Sequence, residues 1–280
     1  MKILPFYIDD IIERALTEDI NYTDAATDYL LDESMNSKAV LISKDEGVLC
    51  GLDFGLRVFE KLDSSVNIIK HKKDGDIIKK GDLIAEVIGS TPTLLKGERT
   101  SLNIMQHMSG IATKTSRLVK LVEGTNASIC DTRKTLPGLR ALQKYSVLMG
   151  GGKNHRFNLS DAAMLKDNHI DAYGGIVPAV NKLREKIGHM IKIEVETRNL
   201  DEVQQALQCG AEVIMLDNMD CNAMSEAVKL GRGKALFEAS GNITEDNIRK
   251  VAETGVDIIS VGALTHSVKA FDISMRISKD

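Results

Sequence analysis

The stretch IKIEVETRNLDEVQQALQCGAEVIMLDNMDCNAMSEAVKLGRGKALFEASGNITEDNIRKVAETGVDIISVGA, residues 191–263, decides the fold. It repeats one unit: a short apolar run, a polar end, then a segment of helical period closed by glycine. The runs are IKIEV, EVIML, ALFEA and VDIISV, and ASIC and AAML precede them upstream. Each is short, continuous and rich in β-formers, the pattern of a strand buried on both faces. Between them, LDEVQQALQCG brings Leu200, Val203, Ala206 and Leu207 to one side and stops at Gly210. ITEDNIRKVAETG is expected to run as a helix from Thr244 to Gly255. Strands alternating with helices predict a parallel sheet, and their number suits an α/β barrel, with an open doubly wound sheet as the alternative.

Upstream the pattern changes. FYIDDIIERALTED places Ile8, Ile11, Ile12 and Leu16 on one helical face. VNIIKHKKDGDIIKKGDLIAEVIG reads as strands separated by the turns DG and KKGD. Half of a biotinyl or lipoyl carrier has a similar look, but Lys72, Lys73, Lys79 and Lys80 read as solvated turn charges, so a structural sheet is expected. LLKGERTSLNIMQHMSGIATKTSRLVKLV, from Leu94 to Val122, is helical in period with an expected interruption near Ser109 and Gly110, and it links two domains.

The chain has 280 residues, 43% of them hydrophobic, enough for one large α/β domain and a smaller one. No segment approaches the roughly 20 apolar residues of a membrane span, and acidic residues arrive too early for a secretory signal, so a cytoplasmic protein without membrane partners is expected. Cys50, Cys130, Cys209 and Cys221 lack CxxC spacing and read as reduced thiols. A net charge of -4 gives no bulk attraction to nucleic acid, so an anionic ligand must be gathered by a local basic cluster.

In a barrel the reactive groups lie just past the C-terminal ends of the strands. Those positions carry Asp131-Thr132-Arg133-Lys134, Lys166-Asp167-Asn168-His169, Glu196, Asp217-Asn218, Ser240-Gly241-Asn242 and Gly262-Ala263. Arg133, Lys134, Arg156 and Lys166, with His155 and His169, form a cationic wall suited to carboxylates and phosphates, the arginines offering two-pronged donors. Glu196 and Asp217 form an opposite wall. Two carboxylates facing phosphates repel them unless they hold a divalent cation, bind hydroxyls, or stabilise positive charge that develops in the reaction. Gly241 and Gly262 let backbone approach a ligand, and late barrel loops are frequent phosphate sites; tight βα turns alone are the plainer reading of both glycines. His266, just after Gly262, is placed for a phosphate contact, while His71, His107 and His189 read as structural or solvated.

The motifs ERTSLN, DTRKTLPGLR, GGGKNHRFNLSD, LKDNHI, IEVET, MLDN, ASGNI and VGALTHS resemble, in order and over about two thirds of the chain, those of the quinolinate phosphoribosyltransferases. Thr23, where the pattern has glycine, and Ala162-Ala163-Met164 are the departures. The resemblance implies an N-terminal α/β sandwich over 1–105, completed by the tail 267–280, and an incomplete α/β barrel over 106–266. It implies conversion of quinolinate and phosphoribosyl pyrophosphate to nicotinate mononucleotide, pyrophosphate and CO₂, with Mg²⁺. It also implies a homodimer, or a larger assembly of dimers, with shared active sites.

By position, Arg99, Arg133, Arg156 and Lys166, assisted by His155, look like quinolinate-binding residues, and Thr132 is a further substrate-binding position. Lys134, Glu196 and Asp217 look like the catalytic groups around ribose and pyrophosphate, the two carboxylates also as metal ligands. Ser240, Gly241, Asn242, Val261, Gly262 and Ala263 look like the 5-phosphate cradle. Two other classes stay open on the residues alone: a barrel lyase forming a Schiff base at Lys166 or Lys134, and a non-catalytic phosphosugar binder.

Overall fold

A computed structural model describes residues 3–278. The chain divides into two units: Met1–Ser116, Leu136–Gly151 and Thr265–Asp280 form one, Arg117–Thr135 and Gly152–Leu264 the other.

The first unit is built on a four-stranded antiparallel sheet. Its order is Ile273–Ser278, Asn36–Ser43, Leu83–Ser90, Asn67–Lys70, so the C-terminal strand pairs with the earliest one. Alternate residues of Asn36–Ser43 are buried, as a strand with one covered face requires. Ala39 and Leu41 point into a core with Leu52, Leu56, Phe59, Val87, Leu94 and Met105. Complete burial of a side chain such as Phe59 stabilises by about 1.5–3 kcal/mol. The N-terminal helix, Pro5–Ile20, buries Ile8, Ile11 and Ile12, while Leu16 is only half-buried.

The helix that the sequence breaks near Gly110 is continuous from Thr91 to Leu121. Gly110 is there for proximity: a Cβ would collide with the Lys269 carbonyl. The segment Leu136–Gly151, assigned by the sequence to the barrel, groups with the first unit. Its helix, Arg140–Met149, explains why: Gln143 Nε2 meets His107 Nε2 at 2.9 Å, and the Tyr145 hydroxyl donates to Asp74 Oδ2 at 3.0 Å.

The second unit holds six parallel strands in the order Ser128–Cys130, Ile258–Ser260, Leu236–Ser240, Val213–Asp217, Ile193–Thr197, Ala163–Leu165. Numbered along the chain this is 1-6-5-4-3-2, so from the third strand on each lies beside its predecessor and the last returns to the first. A doubly wound sheet reverses direction at a switch point; this one never does, which makes it an incomplete barrel, open between its first and second strands. The helices begin and end where chemistry dictates. Asn199 accepts from Glu202 N, and Asp220 from Asn222 N and Ala223 N, each capping a helix start. The helix expected from Thr244 starts only at Ile248, because Asn247 folds back: its Oδ1 accepts from Thr244 N and its Nδ2 donates to Asn242 O, both at 2.9 Å.

Candidate active site

Strand alternation builds the cleft. On Ile193–Thr197, Glu194 and Glu196 share one face; on Val213–Asp217, Met215 and Asp217; on Leu236–Ser240, Glu238 and Ser240. The parallel register sets Glu196 beside Met215, Met215 beside Glu238, and Asp217 beside Ser240. With Thr132, Arg133, Lys134, His155, Arg156, Met164, Lys166 and Ser260, these side chains line a cavity of about 300 Å³ in the second unit.

The two charged walls come together as expected. Lys166 Nζ is 3.8 Å from Glu196 Oε2. Burial lifts the Glu196 carboxyl above its ordinary value; Lys166 opposes that and Asp217 adds to it. Burial lowers the Arg156 guanidinium, helped by Arg133, so the two cations crowd each other. Arg156 is held by the Ala162 carbonyl at 2.9 Å and Met164 Sδ at 3.4 Å. Thr132 Oγ1 accepts from Lys134 N at 3.0 Å, shaping the loop that carries Arg133. Among the described residues, Arg133 Nε, Glu238 Oε1 and Ser260 Oγ are buried cleft atoms with no hydrogen-bond partner.

His155 sits deeper than the sequence implies. Its Nε2 is 3.1 Å from Glu194 Oε2 and 3.5 Å from Glu238 Oε2, and its Nδ1 accepts from Arg156 N at 2.8 Å. Burial alone lowers this imidazole, but the hydrogen bonds and charges of Glu194 and Glu238 outweigh it and raise the value to about 10. Glu194 is raised by burial, with His155 opposing. The Arg156 amide favours an unprotonated Nδ1, but the two carboxylates facing Nε2 outweigh that one neutral donor and hold the imidazole's value up.

Glu194 and Glu238 were absent from the expected site. Glu238 was visible as a charge inside the apolar run ALFEA, and Glu194 stands two residues from Glu196, on the same strand face.

Among the described residues, the group of three or more metal-ligand types that converges is His155, Glu194 and Glu238, each offering an atom within 4.8 Å of the others. The expected pair, Glu196 and Asp217, offers two carboxylates. The triad sits beside Arg133 and Arg156, whose charge disfavours another cation, and its contacts are ion-pair distances. Hard oxygen donors at Glu196 and Asp217 fit Mg²⁺, which commonly uses one or two carboxylates together with substrate phosphates.

Other expected residues lie elsewhere. His169 is exposed beside a separate apolar hollow, its Nδ1 accepting from Lys166 N at 3.1 Å. Arg99 is exposed on the Thr91–Leu121 helix and His266 is exposed next to Ser267, both in the first unit. Ser240 ends one barrel strand and lines the cavity, Gly241 and Asn242 follow it, and Val261, Gly262 and Ala263 follow the next strand; Val261 N donates to Cys130 O at 2.9 Å. All four cysteines are free. No helix among the described residues is long and apolar enough to cross a membrane.

The cleft at the strand ends of this incomplete α/β barrel thus opposes cations to carboxylates. The family model for the quinolinate phosphoribosyl transferase C-terminal domain matches residues 111–276, and that for the N-terminal domain residues 24–109. The chain belongs to this family. It is 44% identical to the probable carboxylating nicotinate-nucleotide pyrophosphorylase of Bacillus subtilis (strain 168), over 96% of this chain and 92% of that protein. It is 41% identical to the protein of the same name from Methanocaldococcus jannaschii, over 97% of each. The crystal structure of NadC from Streptococcus pyogenes superposes with a TM-score of 0.96 at 41% identity, covering 99% of each chain.

Proposed function

We propose that this cleft transfers the phosphoribosyl group of phosphoribosyl pyrophosphate to the ring nitrogen of quinolinate, releasing pyrophosphate and CO₂ and giving nicotinate mononucleotide, a step of NAD biosynthesis. The observation that carries the reading is the pairing of Arg133, Arg156 and Lys166 with Glu196 and Asp217 in one cavity. A dicarboxylate needs the first group and a ribose losing an anionic leaving group needs the second.

Arg133, Arg156 and Lys166 orient the two carboxylates, a proximity effect. The ring nitrogen attacks C1 of the ribose and the C–O electron pair departs with pyrophosphate. Glu196 and Asp217 stabilise the positive charge developing on the sugar, and Lys134 the charge on the leaving group. When the carbon–carboxylate bond next to the now quaternary nitrogen breaks, its electron pair stays on the ring carbon, stabilised by the positive nitrogen; CO₂ leaves and a proton from solvent adds to that carbon. Mg²⁺ at Glu196 and Asp217 would supply charge neutralisation for pyrophosphate. The loops at Ser240–Asn242 and Val261–Ala263, with His266, are assigned to the 5-phosphate. His155 acts from beneath, through its place beside Arg156.

The functional assembly is a homodimer or a larger set of dimers in which Arg99 completes the partner's cleft, and its compartment is the cytoplasm. Mixing the protein with quinolinate, phosphoribosyl pyrophosphate and Mg²⁺ should yield nicotinate mononucleotide and CO₂ in equal amounts. Ligand uptake without pyrophosphate release would favour a pure binder. A borohydride-trapped adduct at Lys166 or Lys134 would favour a Schiff-base lyase.

A further inference from the structure

We propose that Asn218 is a positioning residue, its carboxamide fixing the Asp217 carboxylate and tying it to the loop Ser240–Asn242. The proposal rests on the reading of Asp217 given above.

The two strand ends are locked together. Asp217 stands beside Ser240 in the parallel register, and Asn218 N donates to Ser240 O at 2.9 Å. Both strands then leave through left-handed backbone: φ is 53° at Asn218, 94° at Gly241 and 50° at Asn242. Glycine adopts that region freely; among residues bearing side chains asparagine tolerates it best, and such conformations persist where surroundings over-determine them.

Here the surroundings are the side chains themselves. Asn218 Nδ2 donates to Asp217 Oδ2 at 2.9 Å, and Asn218 Oδ1 accepts from Asn242 Nδ2 at 2.9 Å. A carboxylate can only accept, so the orientation of the Asn218 amide is fixed by its partner. A Cβ at Gly241 would collide with that same carboxamide, so the loop backbone presses directly on it. Asn242 O in turn accepts from Asn247 Nδ2, whose Oδ1 holds Thr244 N. A continuous chain of hydrogen bonds thus runs from Asp217 through the loop to the start of the Ile248–Glu253 helix. A group bound at the loop would bear on the orientation of Asp217 without touching it.

A plainer role exists for Asn218: supplying left-handed backbone and nothing else. Asn218→Gly separates the two, because glycine keeps the backbone and removes the carboxamide. Steady-state kinetics of this variant should show kcat lowered about tenfold, the scale of one hydrogen bond to a charged group, with KM for quinolinate within about twofold of wild type. Asn218→Asp keeps the shape, replaces the donor with an oxygen, and should lose at least as much. In an Asp217→Asn background, Asn218→Gly should add no further loss, since it acts through a carboxylate already gone.

Wild-type kcat in Asn218→Gly overturns the proposal, as do losses that multiply in the double variant. Full turnover by Asp217→Asn alone overturns the catalytic reading of Asp217 itself, a result separable from the other two.

Discussion

Lys166 Nζ faces Glu196 Oε2 at 3.8 Å, joining the cationic and acidic walls of the cleft. Lys166 is exposed and Glu196 half-buried, so the pair is loose enough for a bound anion to replace one partner of the lysine. Lys166→Ala and Arg156→Ala should therefore weaken quinolinate binding by about 2–5 kcal/mol, the cost of truncating one partner of a desolvated charge pair, and phosphoribosyl pyrophosphate binding by less. Calorimetric titration of each ligand separately measures the difference; equal losses would refute the division between the walls.

Glu196→Gln keeps the shape and removes the charge. Turnover should fall while quinolinate affinity holds, because the carboxylate acts on charge present only in the transition state. A variant with near-normal kcat would take Glu196 out of the chemistry.

The buried triad links stability to pH. His155 is raised to about 10 in the folded chain. A group raised on folding contributes its full stabilisation below its unfolded value, roughly 6.5 for histidine, and loses it as pH rises through the folded value. Denaturant midpoints of the wild type should therefore decline between about 6.5 and 10 more steeply than those of His155→Gln. Parallel curves for the two proteins would show that the imidazole is neutral throughout, as the amide at Nδ1 would have it.

Arg99 tests the shared site. Arg99→Ala and Lys166→Ala should each be nearly inactive, yet a mixture allowed to exchange subunits should regain up to about a quarter of wild-type activity, because random pairing leaves that share of sites with neither defect. A mixture that stays inactive after exchange is verified by mass would place Arg99 in its own chain's chemistry or outside it.

The barrel was legible because its strands are continuous apolar runs with polar ends, and period and punctuation survive without tertiary context. Residues at those ends, Arg133, Lys166, Glu196 and Asp217, could be read as one set for the same reason. Gly110 misled because glycine in a helix signals either a break or a close approach, and only the position of Lys269 distinguishes them. Glu238 was overlooked because a single charge in an apolar run was absorbed into the strand pattern. Asn247 delayed a helix that its neighbours would have begun at Thr244, an outcome set by side-chain bonds to Asn242 rather than by propensity. Helix Arg140–Met149 was assigned to the barrel by its place along the chain, yet its partners Asp74 and His107 are distant in sequence.

Because the cleft is made of every second residue on its strands, its chemistry depends on parity. Deleting one residue ahead of Glu194 within Ile193–Thr197 would carry both glutamates to the opposite face and turn valine toward the substrate, while leaving composition almost unchanged. Point substitutions can tune this enzyme one group at a time; a single-residue insertion or deletion in a strand would invert a wall at a stroke. Length variation among functional descendants of this chain should therefore concentrate in the loops and helices, and directed evolution by small indels should be confined there.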